Sequence, residues 1–239
     1  MKCIFRLISG ELKRLINYKI LPVSLATSVI WIIIFLLISE NDAKYIAPLL
    51  IYVDVTMMEM IFIGASFHFE KQESTIKSMM VLPVSLGEIL SAKVIAAMVL
   101  GFESAIITLA ASFFIHGITF NYLMLAIFVI IAGITHGAIG FFLALISKDF
   151  TTMLGWMMAY MLPFALPTIL FMFEIIDKKY DWMLMVSPSH SASELITSAV
   201  TGKYEAGKAI FACVYLIIVS IILLRYVIYP KFKDNSVRG

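Results

Sequence analysis

Long apolar runs separated by short polar stretches divide the chain into six segments, each long enough to cross a bilayer as a helix. They cover about 21–38, 47–67, 89–114, 122–146, 152–173 and 209–228, and crossing ~30 Å of hydrocarbon takes about 20 helical residues. Two other stretches show helical periodicity without that hydrophobicity. In residues 1–20, Ile4, Phe5, Ile8, Leu12, Leu15 and Ile16 alternate with Arg6, Glu11, Lys13 and Arg14, the pattern of an amphipathic interfacial helix leading into Pro22. Residues 70–85, EKQESTIKSMMVLPVS, link the second and third runs. There Glu70, Glu73 and Lys77 recur at helical spacing, while Ile76, Met79 and Met80 fall on the other side. In the long loop 174–208, Ala192–Val200 reads as a helix capped by Ser191 or Ser193, one of one or two short helices re-entering the membrane before the sixth run. The pattern predicts one all-α integral membrane domain over 1–239, with six transmembrane helices, an N-terminal interfacial helix, a helix between spans two and three, and outer re-entrant helices before span six.

Composition excludes a soluble fold of this length. Hydrophobic residues make up 62% of the chain and charged residues 14%, against roughly 45–50% and 25% in soluble domains. Charge placement orients it. Thirteen of the 18 Lys and Arg fall on the side of the N-terminal helix, residues 68–88 and the C-terminal tail, and an excess of basic residues marks the cytoplasmic side. Both termini and the 70–85 segment are therefore expected in the cytoplasm of a multi-pass protein of the cell membrane. A net charge of +2 gives no reason to expect nucleic acid as a partner; the bilayer itself is the partner implied. The first run reads as a span and not as a cleavable signal, because no small-residue cleavage site follows Ile38. Cys3 and Cys213 suggest no disulfide.

Four ionisable groups interrupt the spans: Asp54 and Glu59 in the second, Glu103 in the third and His136 in the fourth. A charge at that depth costs ~2.5–3.5 kcal/mol on insertion scales. Such groups either line a translocation path or proton relay, as in a proton-coupled secondary transporter, or make hydrogen bonds between helices. An intramembrane enzyme would need a nucleophile or metal motif, and neither G-x-S-x-G nor H-E-x-x-H occurs. The stretch Gly202–Ala209 approaches a phosphate-binding loop but has Ala209 where Ser or Thr would hold Mg²⁺. No metal, cofactor or nucleotide site is expected in this chain. Gly133 and Gly137 give the fourth span a smooth stripe for close packing, and Pro163 and Pro167 should kink or hinge the fifth.

The order of these elements resembles the ABC type-2 transporter permeases, membrane subunits of exporters driven by a separate ATPase. The most specific local likeness is Glu70-x-x-Glu73-Ser74-Thr75-Ile76-x-x-Met79-x-x-Leu82-Pro83-Val84-Ser85, followed by Glu88 and Lys93. Pro188 and the residues to Leu195 are similar to the family's outer Pro-bearing segment. Permeases of this size serve in drug, antimicrobial-peptide or lantibiotic-immunity export. The resemblance implies two permease subunits, the same or homologous, on two nucleotide-binding subunits that hold ATP and Mg. It also implies a cytoplasmic coupling helix over Glu73–Leu82, with Glu70, Glu73, Ser74, Thr75, Ile76, Lys77, Met79, Met80, Leu82 and Pro83 as coupling residues. Ser74 stands where the family commonly has Gly, so the turn into that helix is expected to be shaped differently.

Overall fold

A computed structural model describes residues 2–80, 83–203 and 205–238, without side chains at 2, 3, 77, 80 and 234–238. The expectations for Leu82 and for the Lys77 and Met80 side chains lie outside the described residues. Among those described there is no strand. Six helices have the length and apolarity of membrane spans: Ile20–Leu37, Glu40–Gln72, Leu86–His116, Tyr122–Ile146, Phe150–Met172 and Ala206–Lys233. An N-terminal helix, Lys2–Asn17, precedes them. A short helix, Thr75–Met80, joins spans two and three, and Pro188–Thr201 stands before span six.

The span ends follow from local chemistry. Ser39 accepts the Asp42 amide at the start of the second span, and Asp149 accepts the Thr152 amide at 2.7 Å at the start of the fifth. Ser85 and Glu88 form a reciprocal capping box that opens the third. Gly117, at φ 68°, closes the same span in the left-handed conformation that glycine adopts freely. The second span runs well past 47–67 at both ends. Its first turns are hydrophilic but helical, with Lys44 reaching Glu40 at 2.5 Å across one turn, and its last turns bury His68 and Glu70. Hydropathy alone undershoots such a helix.

The fourth span is central, packed against the second, third and sixth and against Pro188–Thr201. Gly140 sets its closest approach to the second span: a Cβ there would lie 2.7 Å from the Met60 Cα. The first, fifth and sixth spans stand at the periphery with exposed Leu36, Leu162 and Ile210, a surface suited to hydrocarbon. The N-terminal helix packs on the third span, and the C-terminal extension of the sixth meets both Thr75–Met80 and the third span. Both termini and the short helix therefore share one end of the bundle, the terminal end.

Three helices contain wide π-type turns, at Val53–Met58, Met161–Ala165 and Leu223–Ile228. Pro163 sits inside the second and Pro167 begins the helical turn after it, where a missing N–H interrupts the ordinary ladder. The first holds Asp54 and ends just before Glu59, so it sets how these two acids are turned relative to one another.

Candidate functional site

Two groups of functional side chains emerge, one at the terminal end and one inside the bundle. At the terminal end the N-terminal helix, the last turns of span two and the first turns of span three converge on four charges. Lys93 Nζ donates to Glu70 at 2.6 Å and to Glu11 at 3.2 Å. Arg14 reaches Glu70 at 3.3 Å and pairs with Glu11. Glu70 is fully buried, so its charge depends on these partners; burying an ion is tolerable only with such compensation. Glu70 therefore does not present a polar face outward, as its spacing from Glu73 suggests. That spacing assumes one continuous helix, whereas the second-span helix ends at Gln72 and Ser74 turns the chain at φ 56°. Glu70 belongs to the inner face of span two.

The connecting helix starts two residues later than Glu73, and its described part covers Thr75–Met80. Ile76 and Met79 are buried in a cluster with Phe67, Ile89, Leu90 and Phe232. Ser78 and Pro83 are exposed. Glu73, at the end of span two, accepts a 2.7 Å hydrogen bond from the Tyr18 hydroxyl, and Tyr18 also faces Thr75. Partial burial, then the Glu73 carboxylate, push the Tyr18 hydroxyl up to about 12, so it stays a donor at neutral pH. The left-handed Ser74 adopts the conformation in which glycine carries no steric penalty.

Within the bundle the four interrupting groups do not form one cluster. Asp54 accepts from Trp31 at 2.6 Å and from Ser104. Ser104 also meets Ser28, and Ser24 donates to Glu103 at 2.7 Å, so hydroxyls of spans one and three fill the space around the two acids. His136 turns instead toward the fifth span, its Nδ1 on the Ala132 carbonyl at 2.9 Å and its Nε2 3.4 Å from the Tyr160 hydroxyl. Glu59 stands apart against Gly101, Gly133 and Gly137. Sequence reasoning singled out the acids but passed over Ser24, Ser28 and Ser104. The available signal was the i,i+4 pair Ser24/Ser28 in a first span whose other residues, Thr27 apart, are apolar. At the opposite end a cavity of about 220 Å³ is lined by Tyr45, Leu49, Phe171, His190 and Glu194.

With this geometry in view, comparison with known proteins fixes the class. The family model described as ABC-2 family transporter protein matches residues 38–228, from the end of span one into span six. The chain belongs to the ABC-2 transporter family. It is also similar to the fluoroquinolones export permease proteins of two Mycobacterium tuberculosis strains, CDC 1551 / Oshkosh and ATCC 25618 / H37Rv. Identity to each is 25% over 158 residues, 65% of this chain. The chain spans 63% of the length of those curated relatives. As an ABC-2 protein it is a multi-pass membrane permease.

Proposed function

We propose that this ABC-2 chain is the membrane subunit of an ATP-driven exporter, working with a second permease subunit and with separate ATPase subunits that hold ATP and Mg. The observation carrying this reading is the buried joint of Glu11, Arg14, Glu70 and Lys93. It ties the N-terminal helix to spans two and three beside Thr75–Met80. A load on the short helix passes through buried Ile76 and Met79 into the spans and cannot displace one of these elements without the others. The excess of basic residues at the terminal end supports a cytoplasmic location for it, where an ATPase would dock on exposed Glu73, Ser74, Ser78 and Pro83. The names of the two relatives make fluoroquinolones the first cargo to test.

The test is export and ATP hydrolysis by the chain reconstituted with its ATPase subunits. Glu73→Lys, which meets the Tyr18 hydroxyl with the wrong charge, and Ile76→Gly, which loosens the short helix, should separate hydrolysis from export while insertion stays normal. Export and cargo-stimulated hydrolysis both at the wild-type level in both variants would refute the coupling route. For orientation, a cysteine at Ser78 should react with an impermeant maleimide only from the cytoplasmic side.

A further inference from the structure

Glu59 is only 1% exposed, and neither of its carboxyl oxygens has a hydrogen-bond partner among the described residues. The helices around it are shaped to its carboxyl group. A Cβ at Gly101, Gly133 or Gly137 would come within 3.0, 2.9 and 3.2 Å of its oxygens. An ionised carboxylate left alone in such surroundings is prohibitively costly, and burial favours the neutral form. A neutral carboxyl still carries one O–H donor and acceptor lone pairs that seek partners.

One route leads to it. A cavity of about 40 Å³ runs from Glu59 past Ile63, Ser66 and Ala97 to Lys93 and Glu11. That is room for about three waters at roughly 10–15 Å³ each. From Lys93 to Leu100, both on its wall, a helix rises about 10 Å, a gap that about three waters bridge at roughly 2.8 Å per hydrogen bond. Glu59, Ile63, Ser66 and Glu70 follow one another at three- and four-residue intervals, so a single face of span two leads from the carboxyl to the ion cluster. On the other side, a void of about 10 Å³ separates Glu59 from Asp54, Ser24 and Ser104, too little for a chain of waters. The other ionisable groups near it are Asp54 on its own helix, Glu103 on span three, His136 on span four, and Lys93 and Glu11 across the cavity. Each of these has at least one hydrogen-bond partner.

We infer that Glu59 is a proton-binding site loaded by water through this cavity from the terminal end. Bulk water supplies the proton at the partly exposed Arg14 edge of the cluster. Cavity water relays it: the O–H bond of the last hydronium breaks, its electrons stay on the water oxygen, and an O–H bond forms on the Glu59 carboxylate. Release follows the same path backward when spans two, three and four separate and water solvates the carboxylate. The site thereby links closure of this helix packing to uptake of one proton, independently of whether the bundle exports.

Infrared spectroscopy of the purified chain in lipid nanodiscs tests this without ATPase or cargo. At neutral pH a carboxylic C=O band should be present, should disappear in Glu59→Gln, and should shift promptly on transfer to heavy water. Ala97→Val narrows the cavity and keeps Glu59; it should retain the band and slow the shift by at least an order of magnitude. Absence of any Glu59-dependent carboxylic band overturns the inference, as does an Ala97→Val shift as fast as wild type. Should Glu59→Gln fail to insert, Glu59→Asp keeps a carboxyl at this position and should move the band to a new frequency; an unmoved band overturns the inference. Ser66→Val then serves as a second plug with the same two outcomes.

Discussion

An added methyl group reports how closely residues of the second and fourth spans approach. In a helix interior, Gly→Ala gains roughly 1 kcal/mol of propensity, so the sign of the change depends on what the new Cβ meets. At Gly155 nothing lies within 4 Å, whereas at Gly140 the Met60 backbone lies at 2.7 Å and must shift. Overpacking that moves backbone costs about 1–3 kcal/mol. Gly140→Ala should therefore lower the thermal midpoint in detergent, and Gly155→Ala should leave it unchanged or raise it. Gly137→Ala falls between them, because it meets the flexible Ile63 Cδ1 at 2.9 Å as well as Glu59. The glycine stripe was legible in the sequence as a packing surface. That Gly133 and Gly137 make room for a carboxyl was not, because the partner, Glu59, lies 74 and 78 residues away in the chain. Glu70 was misplaced for a different reason: periodicity registers a helical face but not the left-handed residue, Ser74, at which the face is lost.

Among the elements, the helix Pro188–Thr201 is held by a charge network that sequence spacing did not reveal. Asp181 accepts from His190 Nε2 at 2.9 Å and from Lys208 Nζ at 2.6 Å. Burial raises the Asp181 carboxyl, yet the hydrogen bonds from His190 and Lys208 outweigh it and hold it below the usual range. A carboxyl depressed on folding contributes stability above its unfolded value of about 3.9 and loses it as pH falls through the folded value. Amide exchange of residues 188–201, measured against the intrinsic rate at each pH, should accordingly quicken as pH drops below about 4. Asp181→Asn should quicken it already at neutral pH, by an opening cost about 1–3 kcal/mol smaller, and should flatten the acid response. Unchanged exchange in that variant would show that the network does not secure the helix. Six spans were readable from hydrophobic run length and a helix before the sixth from the pattern of Ala192–Val200, although it begins four residues earlier and is capped by Ser187 and not by Ser191 or Ser193. The π-type turns at Val53–Met58 and Leu223–Ile228 were not, since no proline marks them; at Met161–Ala165 Pro163 signalled an interrupted ladder but not its π-type geometry.

For the whole molecule, charge counting and the number of spans were enough to bring both termini and the 70–85 link to one end. They could not show that four of those charges form a single buried joint, which depends on Glu11, Arg14, Glu70 and Lys93 arriving from three separate helices. Variants of this joint separate stability from the proposed transmission of motion. Lys93→Met leaves Glu70 buried with Arg14 alone, at 3.3 Å, and removing one partner of a buried pair costs about 3–5 kcal/mol. In the double variant Glu70→Met/Lys93→Met no buried charge is stranded, because Glu11 and Arg14 still pair with each other. Replacing a buried ion pair with apolar residues of similar size is often neutral or better. The double variant should thus recover most of the thermal midpoint lost by Lys93→Met. It should not recover coupling, because the N-terminal helix is no longer tied to span two through Glu70. Hydrogen exchange should then show residues 4–17 opening while the fourth span stays protected. If the double variant instead restores both stability and ATP-driven export, the joint is only packing, and motion enters spans two and three through Ile76 and Met79 alone.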